Sequence, residues 1–417
     1  MTDRPKPVVL VVIDGLTPSM LEATDTPALR FLLDHGTYRR AVSTFPSLTP
    51  VCLASIATGG GPDVHGIPHL VWWNRDEERL VEYGSSFAAL RAAGFAQGLR
   101  DTIVNLNEQH LSRTATTVYE DLEDAGLTTA AINITTYRGR TRHTATIPGA
   151  PPVWGPKRFF FYSLYESDRT GAPIAILNRA LGSIDAYAAA VGRWLVTRDG
   201  FDLLVHYLPD YDYASHALGP DAAHEALGRA DEAVAALLDA AGGPDEFLDR
   251  YAVVLCSDHG QSLVRETAQL EVPGGLVTAS NRAGMVYGED PRRLAEALDG
   301  EPAVDVALFL EDGEVVARRD GADDPKILDR YPDGRARAEA ALRNRNAGEV
   351  LLSAAPGYEF ADLGGRHHAG GGSHGSLAEA DSEVPMLTVG TGPPPRSITG
   401  IKGLLLEHFG LTVAEAA

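Results

Sequence analysis

Residues 251–260, YAVVLCSDHG, set a carboxylate and an imidazole side by side at Asp258 and His259, directly after an apolar run of strand length. Carboxylate oxygen is a hard ligand and imidazole nitrogen a borderline one, so the pair suits a divalent cation. Read alone, Asp258 is an N-cap for a following helix before it is a metal ligand. Other segments carry the same chemistry. Residues 8–15, VVLVVIDG, end an aliphatic run in Asp14, and residues 208–216, LPDYDYASH, hold Asp210, Asp212 and His216. If a helical turn starts near Asp212, the D-x-x-x-H spacing puts Asp212 and His216 on one face, with Asp210 as a rival ligand. A Gly-rich stretch, GGRHHAGGGSHG, offers His367, His368 and His374, any of which taken singly is an ordinary solvated loop histidine. In STFPSLTPVCLASIATG, Thr49 precedes Pro50 and an apolar helical pattern, which predicts Thr49 as the N-cap. A hydroxyl there sits among free N–H donors at the positive end of the helix dipole, a favourable place for a phosphoryl group.

These residues need elements to carry them. The runs 8–13, 201–208 and 252–256 are continuously apolar and rich in β-branched residues, as in parallel strands buried on both faces. Each hands an acid to its carboxyl end, which is where open α/β sheets keep their chemistry. Further strands are expected over 38–42, 128–134 and 384–389. Helices are expected over 183–195, 222–241 and 397–408, and residues 135–180 read as long loops. The alternation predicts an α/β fold with a mostly parallel central sheet flanked by helices. From 266 to 355 the pattern changes: paired strands around the turn EDG at 311–313 and two flanking helices predict a small α+β insertion, a cap over a core of residues 1–265 and 356–417.

The chain has 417 residues and a formal charge of −21. That charge disfavours nucleic acid and anionic membranes as partners, so a small anionic substrate needs local positive charge, which bound cations supply. Cys52 and Cys256 are the only cysteines, too few for a disulfide framework or a cysteine-rich zinc site. No apolar run reaches the length of a membrane span, and a cytoplasmic location is the default expectation. Trp72 and Trp73 in PHLVWWN could stack on a base or sugar, or simply pack in the core.

IDG, a helix-terminal Thr, D-x-x-x-H before GP, SDHG and a late HG, in that order, resemble the alkaline phosphatase superfamily, and within it the nucleotide pyrophosphatase and type I phosphodiesterase branch. The motifs run from Val8 to about Gly375, and the ending SITGIKGLLLEHFGL resembles the branch's last helix. The resemblance implies an alkaline-phosphatase-like fold and two divalent metal ions, zinc before manganese. One would be surrounded by Asp14, Thr49, Asp258 and His259, the other by Asp212, His216 and His374. It also implies a Thr49 nucleophile and a covalent phosphothreonine that water hydrolyses. Two cations about 4 Å apart would offset charge on the attacking and leaving oxygens of an in-line displacement. Where the family usually has an Asn after HGI to contact a phosphoryl oxygen, this chain has Leu70, so His69 or Asn74 is the expected substitute. The expected substrate is a small phosphorylated molecule, a diester or pyrophosphate-type nucleotide. A phosphomonoester, a phosphonate or a phosphomutase reaction is the alternative. Cys52 is followed by LASI rather than the C-x-P-x-R pattern, which argues against a sulfatase, and the full ligand set argues against a non-catalytic binding protein.

Overall fold

The computed structural model describes residues 4–172, 174, 183–365 and 368–412. Val8–Ile13 lies within an eight-stranded sheet whose order is Thr37–Val42, Glu383–Val389, Ala252–Cys256, Val8–Ile13, Leu203–Leu208, Thr129–Ile132, Arg158–Phe161, Tyr165–Glu166. From Ala252–Cys256 across to Arg158–Phe161 every pairing is parallel. Glu383–Val389 is antiparallel to both its neighbours, and Tyr165–Glu166 is antiparallel to Arg158–Phe161.

The apolar runs are continuous because both faces are covered. Val9, Val11 and Ile13 pack into one cluster with residues of the helices Asp185–Val196, His224–Ala240 and Pro27–His35. Val8, Leu10 and Val12 pack into another with Thr49–Thr58 and Ile401–His408. The strand register pairs Ile13 with Leu208 and Val12 with Cys256, so Asp14, Asp210 and Asp258 leave the sheet at one edge. This is the α/β architecture expected, with its chemistry at the carboxyl ends of the strands.

A second sheet is antiparallel and six-stranded, in the order Leu276–Ser280, Ala283–Tyr287, Val350–Ala354, Val304–Glu311, Glu314–Arg319, Ala322–Asp323. It carries the helices Pro291–Glu296 and Gly334–Leu342. Its inner residues Met285, Leu308 and Leu351 share one apolar cluster with Phe45, Leu48, Val51 and Trp72 from the N-terminal part. The second sheet is therefore fastened by its core to the loop that leads into the Thr49–Thr58 helix.

Two expectations are corrected. Residues 135–180 are not simply loops, since Thr141–His143 pairs with Val153–Gly155, and Arg158–Phe161 and Tyr165–Glu166 join the central sheet. These strands are two to four residues long, too short to leave a period in the sequence. Thr49 is not the N-cap: Leu48 holds that position with extended backbone, and Thr49 is the first helical residue with no side-chain cap. Its hydroxyl is thereby left for other partners. Among the described residues, no helix is long and apolar enough to cross a membrane.

Candidate active site

The strand ends deliver Asp14, Asp212, Asp258, His216 and His259 to one place, and the turn after Gly372–Ser373 adds His374. Ligand atoms of Asp14, Asp258 and His259 lie within 4.8 Å of one another, as do those of Asp212, His259 and His374. His259 belongs to both groups. His216 stands beside the second one, its Nε2 3.3 Å from Asp212 Oδ2. Asp212 and His216 share a face because the helix Asp210–Leu218 begins just before them.

Each of the three histidines is oriented in the same way. His216 Nδ1 lies 2.7 Å from the Gly372 carbonyl, His259 Nδ1 3.0 Å from that of Gly260, and His374 Nδ1 2.8 Å from that of Ser47. A backbone carbonyl only accepts, so each Nδ1 carries a proton and each Nε2 is left to face the cluster. The three Nε2 atoms point into the cluster. That of His259 is 3.1 Å from Thr49 Oγ1, 3.2 Å from Asp14 Oδ1 and 3.5 Å from Asp258 Oδ2; that of His374 is 3.8 Å from Asp212 Oδ1. Thr49 thus faces the cluster from the start of its helix.

The backbone is shaped to allow this approach. Gly15 has φ +68°, and a Cβ there would lie 2.8 Å from Asp212 Oδ1. A Cβ on Gly260 would meet the Ala380 carbonyl oxygen at 2.1 Å, so a glycine must follow His259. Gln261 Nε2 donates to Asp212 Oδ1 at 2.5 Å while its Oε1 accepts from Ser215 Oγ at 2.6 Å. Tyr207 donates its hydroxyl to Asp14 Oδ2, and Gly15 N donates to Asp258 Oδ1 at 3.2 Å.

Crowded carboxylates disfavour their own ionisation. Burial, then the charge of Asp212, pushes the Asp14 carboxyl well above the ordinary range, and burial with Asp14 does the same to Asp258. Asp212 is held low: burial opposes its charge, but His216, His374 and His259 outweigh it. Burial works against a charged His216, yet the Asp212 carboxylate raises it to about 9. Asp14 Oδ1 and Asp258 Oδ2 are buried without a hydrogen-bond partner. Orphaned carboxylate oxygens beside convergent imidazole lone pairs fit divalent cations, whose charge would reverse the penalty on both acids. The donor set of carboxylate and imidazole suits zinc.

Other expected residues take different places. Asp210 Oδ2 accepts from the backbone N–H of Ile184 and Asp185, so its carboxylate serves the start of the neighbouring helix. His368 pairs with Glu359, Nδ1 to Oε2 at 2.9 Å, and stacks on His216 with ring centroids 4.2 Å apart. His367 lies outside the described residues. His69 is buried, with Nδ1 accepting from Val71 N, and Trp72 is core, edge-on to His110. Trp73 N donates to the Tyr287 hydroxyl, and Asn74 Oδ1 caps a turn by accepting from Asp76 N and Glu77 N. Leu70 packs against the cluster shared with the second sheet.

Asn281 and Gln261 were not singled out from sequence. Gln261 carries one signal, its position two residues after His259. Asn281 carries none, because the hairpin that brings it to His374 belongs to the second sheet.

A family model described as type I phosphodiesterase / nucleotide pyrophosphatase matches residues 8–377. No curated protein sequence matches the chain. Among solved structures, murine ectonucleotide pyrophosphatase / phosphodiesterase 5 superimposes with a TM-score of 0.67 at 15% identity, over 98% of this chain and 96% of that one. An inactive form of the same murine protein in complex with AMP gives 0.68 at 14% identity, with 98% and 96% covered. Phosphonoacetate hydrolase from Sinorhizobium meliloti 1021, in complex with phosphonoformate, gives 0.66 at 18% identity, with 99% and 96% covered. At these identities the likeness is one of fold.

Proposed function

The chain belongs to the type I phosphodiesterase / nucleotide pyrophosphatase family and is a hydrolase of phosphoester bonds, and from that premise we propose that it cleaves small phosphodiester or pyrophosphate-type nucleotide substrates with Thr49 as nucleophile. The observation that carries this reading is the common orientation of His216, His259 and His374, each spending Nδ1–H on a backbone carbonyl and aiming Nε2 at carboxylates around the Thr49 hydroxyl. Asp14, Asp258 and His259 with Thr49 would hold one divalent ion, and Asp212, His216 and His374 the other, zinc by donor type. Bound there, the ions supply positive charge that lowers the hydroxyl pKa and offsets charge on the phosphoryl oxygens.

Thr49 Oγ1 forms a bond to phosphorus as the bond to the leaving oxygen breaks, the hydroxyl proton ending on the departing alcohol or phosphate, and the phosphoryl group on Thr49 keeps the second substituent of the diester. Water then cleaves this phosphothreonine ester, returning the Thr49 hydroxyl and releasing a phosphomonoester. The dipole of the Thr49–Thr58 helix points its positive end at the reacting phosphoryl group.

A small polar pocket beside the cluster is lined by Ser85, Ser86, Ser280, Asn281, Glu359, Asp362 and His368. Leu70 in the place of the usual Asn favours, as a second reading, a monoester or phosphonate held differently. Steady-state assays of metal-replete protein on bis(4-nitrophenyl) phosphate, 4-nitrophenyl phosphate and a phosphonate monoester separate the two. The diester should have the highest kcat/KM; a monoester or phosphonate preferred over it would install the second reading.

A further inference from the structure

Asn281 is the turn residue between the strands Leu276–Ser280 and Ala283–Tyr287, 7% exposed, in the left-handed region at φ 57°. Asparagine tolerates that conformation better than most side chains. Its backbone is clamped on two sides. Phe360 N donates to the Asn281 carbonyl at 2.7 Å, and the next residue, Arg282, donates its N–H to the His374 carbonyl at 2.8 Å. The Arg282 guanidinium is buried and paired with Asp381 at 2.9 Å, which ties the hairpin to the loop carrying His374.

The side chain is fixed as well. Ser280 Oγ donates to Asn281 Oδ1 at 2.9 Å, which turns the amide so that Nδ2 faces the cluster, 3.0 Å from His374 Nε2. That Nε2 carries the lone pair, since His374 Nδ1 is engaged with the Ser47 carbonyl. The same lone pair cannot serve both the amide and a metal ion. Once His374 is a ligand, Nδ2 becomes a buried donor without an acceptor, an unfavourable state. It then sits beside the atom that would hold the cation, at the wall shared with the polar pocket.

We propose that Asn281 is a catalytic residue of the second sheet, its Nδ2–H donating to a non-bridging phosphoryl oxygen of the bound substrate. This assignment rests on the two-metal reading above and deepens it, because it gives the second sheet a part in the site: the hairpin delivers a neutral donor to a cluster otherwise made of carboxylates and imidazoles. A neutral donor stabilises the phosphoryl oxygens without competing for the carboxylates as Lys or Arg would.

The experiment uses the full chain loaded with zinc and inorganic phosphate as probe, with phosphate affinity measured by calorimetry and bound metal by elemental analysis. Asn281→Gly keeps the positive φ and removes the amide, and Asn281→Asp keeps the shape but replaces the donor with a negative charge. Both variants should bind as much metal as the parent. Phosphate affinity should fall about ten- to a hundredfold for Asn281→Gly, the worth of one hydrogen bond to a charged group, and further for Asn281→Asp. Affinities within about twofold of the parent, with metal retained, would overturn the Asn281 assignment alone. Loss of metal from Asn281→Gly would also overturn it, since the amide would then be holding the centre rather than the phosphoryl group. A parent protein that binds phosphate no better with metal than without would overturn the two-metal reading together with the role of Asn281.

Discussion

His259 and His374 lie face to face, with ring centroids 3.6 Å apart and planes within 9° of parallel. Two imidazolium ions at that separation would repel strongly, and burial together with the His259 ring holds His374 well below its ordinary pKa. The stack therefore keeps His374 a neutral imidazole, the form that binds metal. It also sets the two ligand groups back to back, with His259 within reach of both.

The two groups predict separate losses of metal. Protein purified without chelator should carry close to two divalent ions per chain. His216→Ala should keep the ion of the other group, because Asp14, Asp258 and His259 are untouched. His259→Ala should keep only the ion of Asp212, His216 and His374, because its removal leaves Asp14 and Asp258 as crowded carboxylates that protonate instead. Elemental analysis of the two variants decides; loss of both ions from His259→Ala would show that the two sites do not fill independently.

His368 and His374 present a second contrast. His374 is 2% exposed with its Nε2 at the cluster, whereas His368 has its Nδ1 on the Glu359 carboxylate. His374→Ala should release one ion and slow hydrolysis by about two to three orders of magnitude, as the remaining ion faces both oxygens of the displacement alone. His368→Ala should keep both ions, with its effect confined to KM through the polar pocket it lines. A His368→Ala protein lacking an ion while His374→Ala kept two would transfer the ligand role.

Much of this site could be read from the chain because parallel strands buried on both faces are apolar throughout, so the acid that ends each run stands out. Asp14 and Asp258 are visible for that reason. Asp210 and Asp212 could not be separated the same way: both follow the Leu203–Leu208 strand, and only the position of the Asp185–Val196 helix start, which takes the Asp210 carboxylate, decides between them. Asn281 was invisible because its role depends on how a hairpin of the second sheet meets the His374 loop, a contact with no local sequence pattern. Trp72 packs in the core, one of the two roles its sequence left open, and Asn74 Oδ1 closes a turn.

Away from the site, His206 gives the fold an acid-sensitive point. It lies on Leu203–Leu208, fully buried, with neither ring nitrogen hydrogen-bonded, and burial lowers it from 6.5 to about 4. The unfolded chain takes up a proton as pH falls through 6.5 while the folded one does not until about 4, so its contribution to stability is present above 6.5 and lost on acidification. His206→Leu removes this term. Denaturant unfolding of parent and variant at about pH 7 and about pH 5 should show the difference between them moving by about 2 kcal/mol in the variant's favour. A difference independent of pH would mean that His206 is solvated or paired in solution.

Thr49 separates chemistry from folding. It is the first helical residue and makes no cap hydrogen bond, so its hydroxyl contributes nothing to the helix end that Ala would remove. Its contact in the structure is His259 Nε2, at 3.1 Å. Thr49→Ala should therefore unfold within about 1 kcal/mol of the parent, less than the usual loss of a capping Thr. Turnover, in contrast, should vanish, since the hydroxyl that faces His259 Nε2 is gone. Thr49→Ser keeps the oxygen and should retain measurable hydrolysis. Acid quenching of the parent during turnover of bis(4-nitrophenyl) phosphate, followed by peptide mass analysis, should find a 4-nitrophenyl phosphoryl group on Thr49 and none in the Ala variant. Normal turnover by Thr49→Ala would leave direct attack by water as the route and remove the phosphothreonine from the scheme.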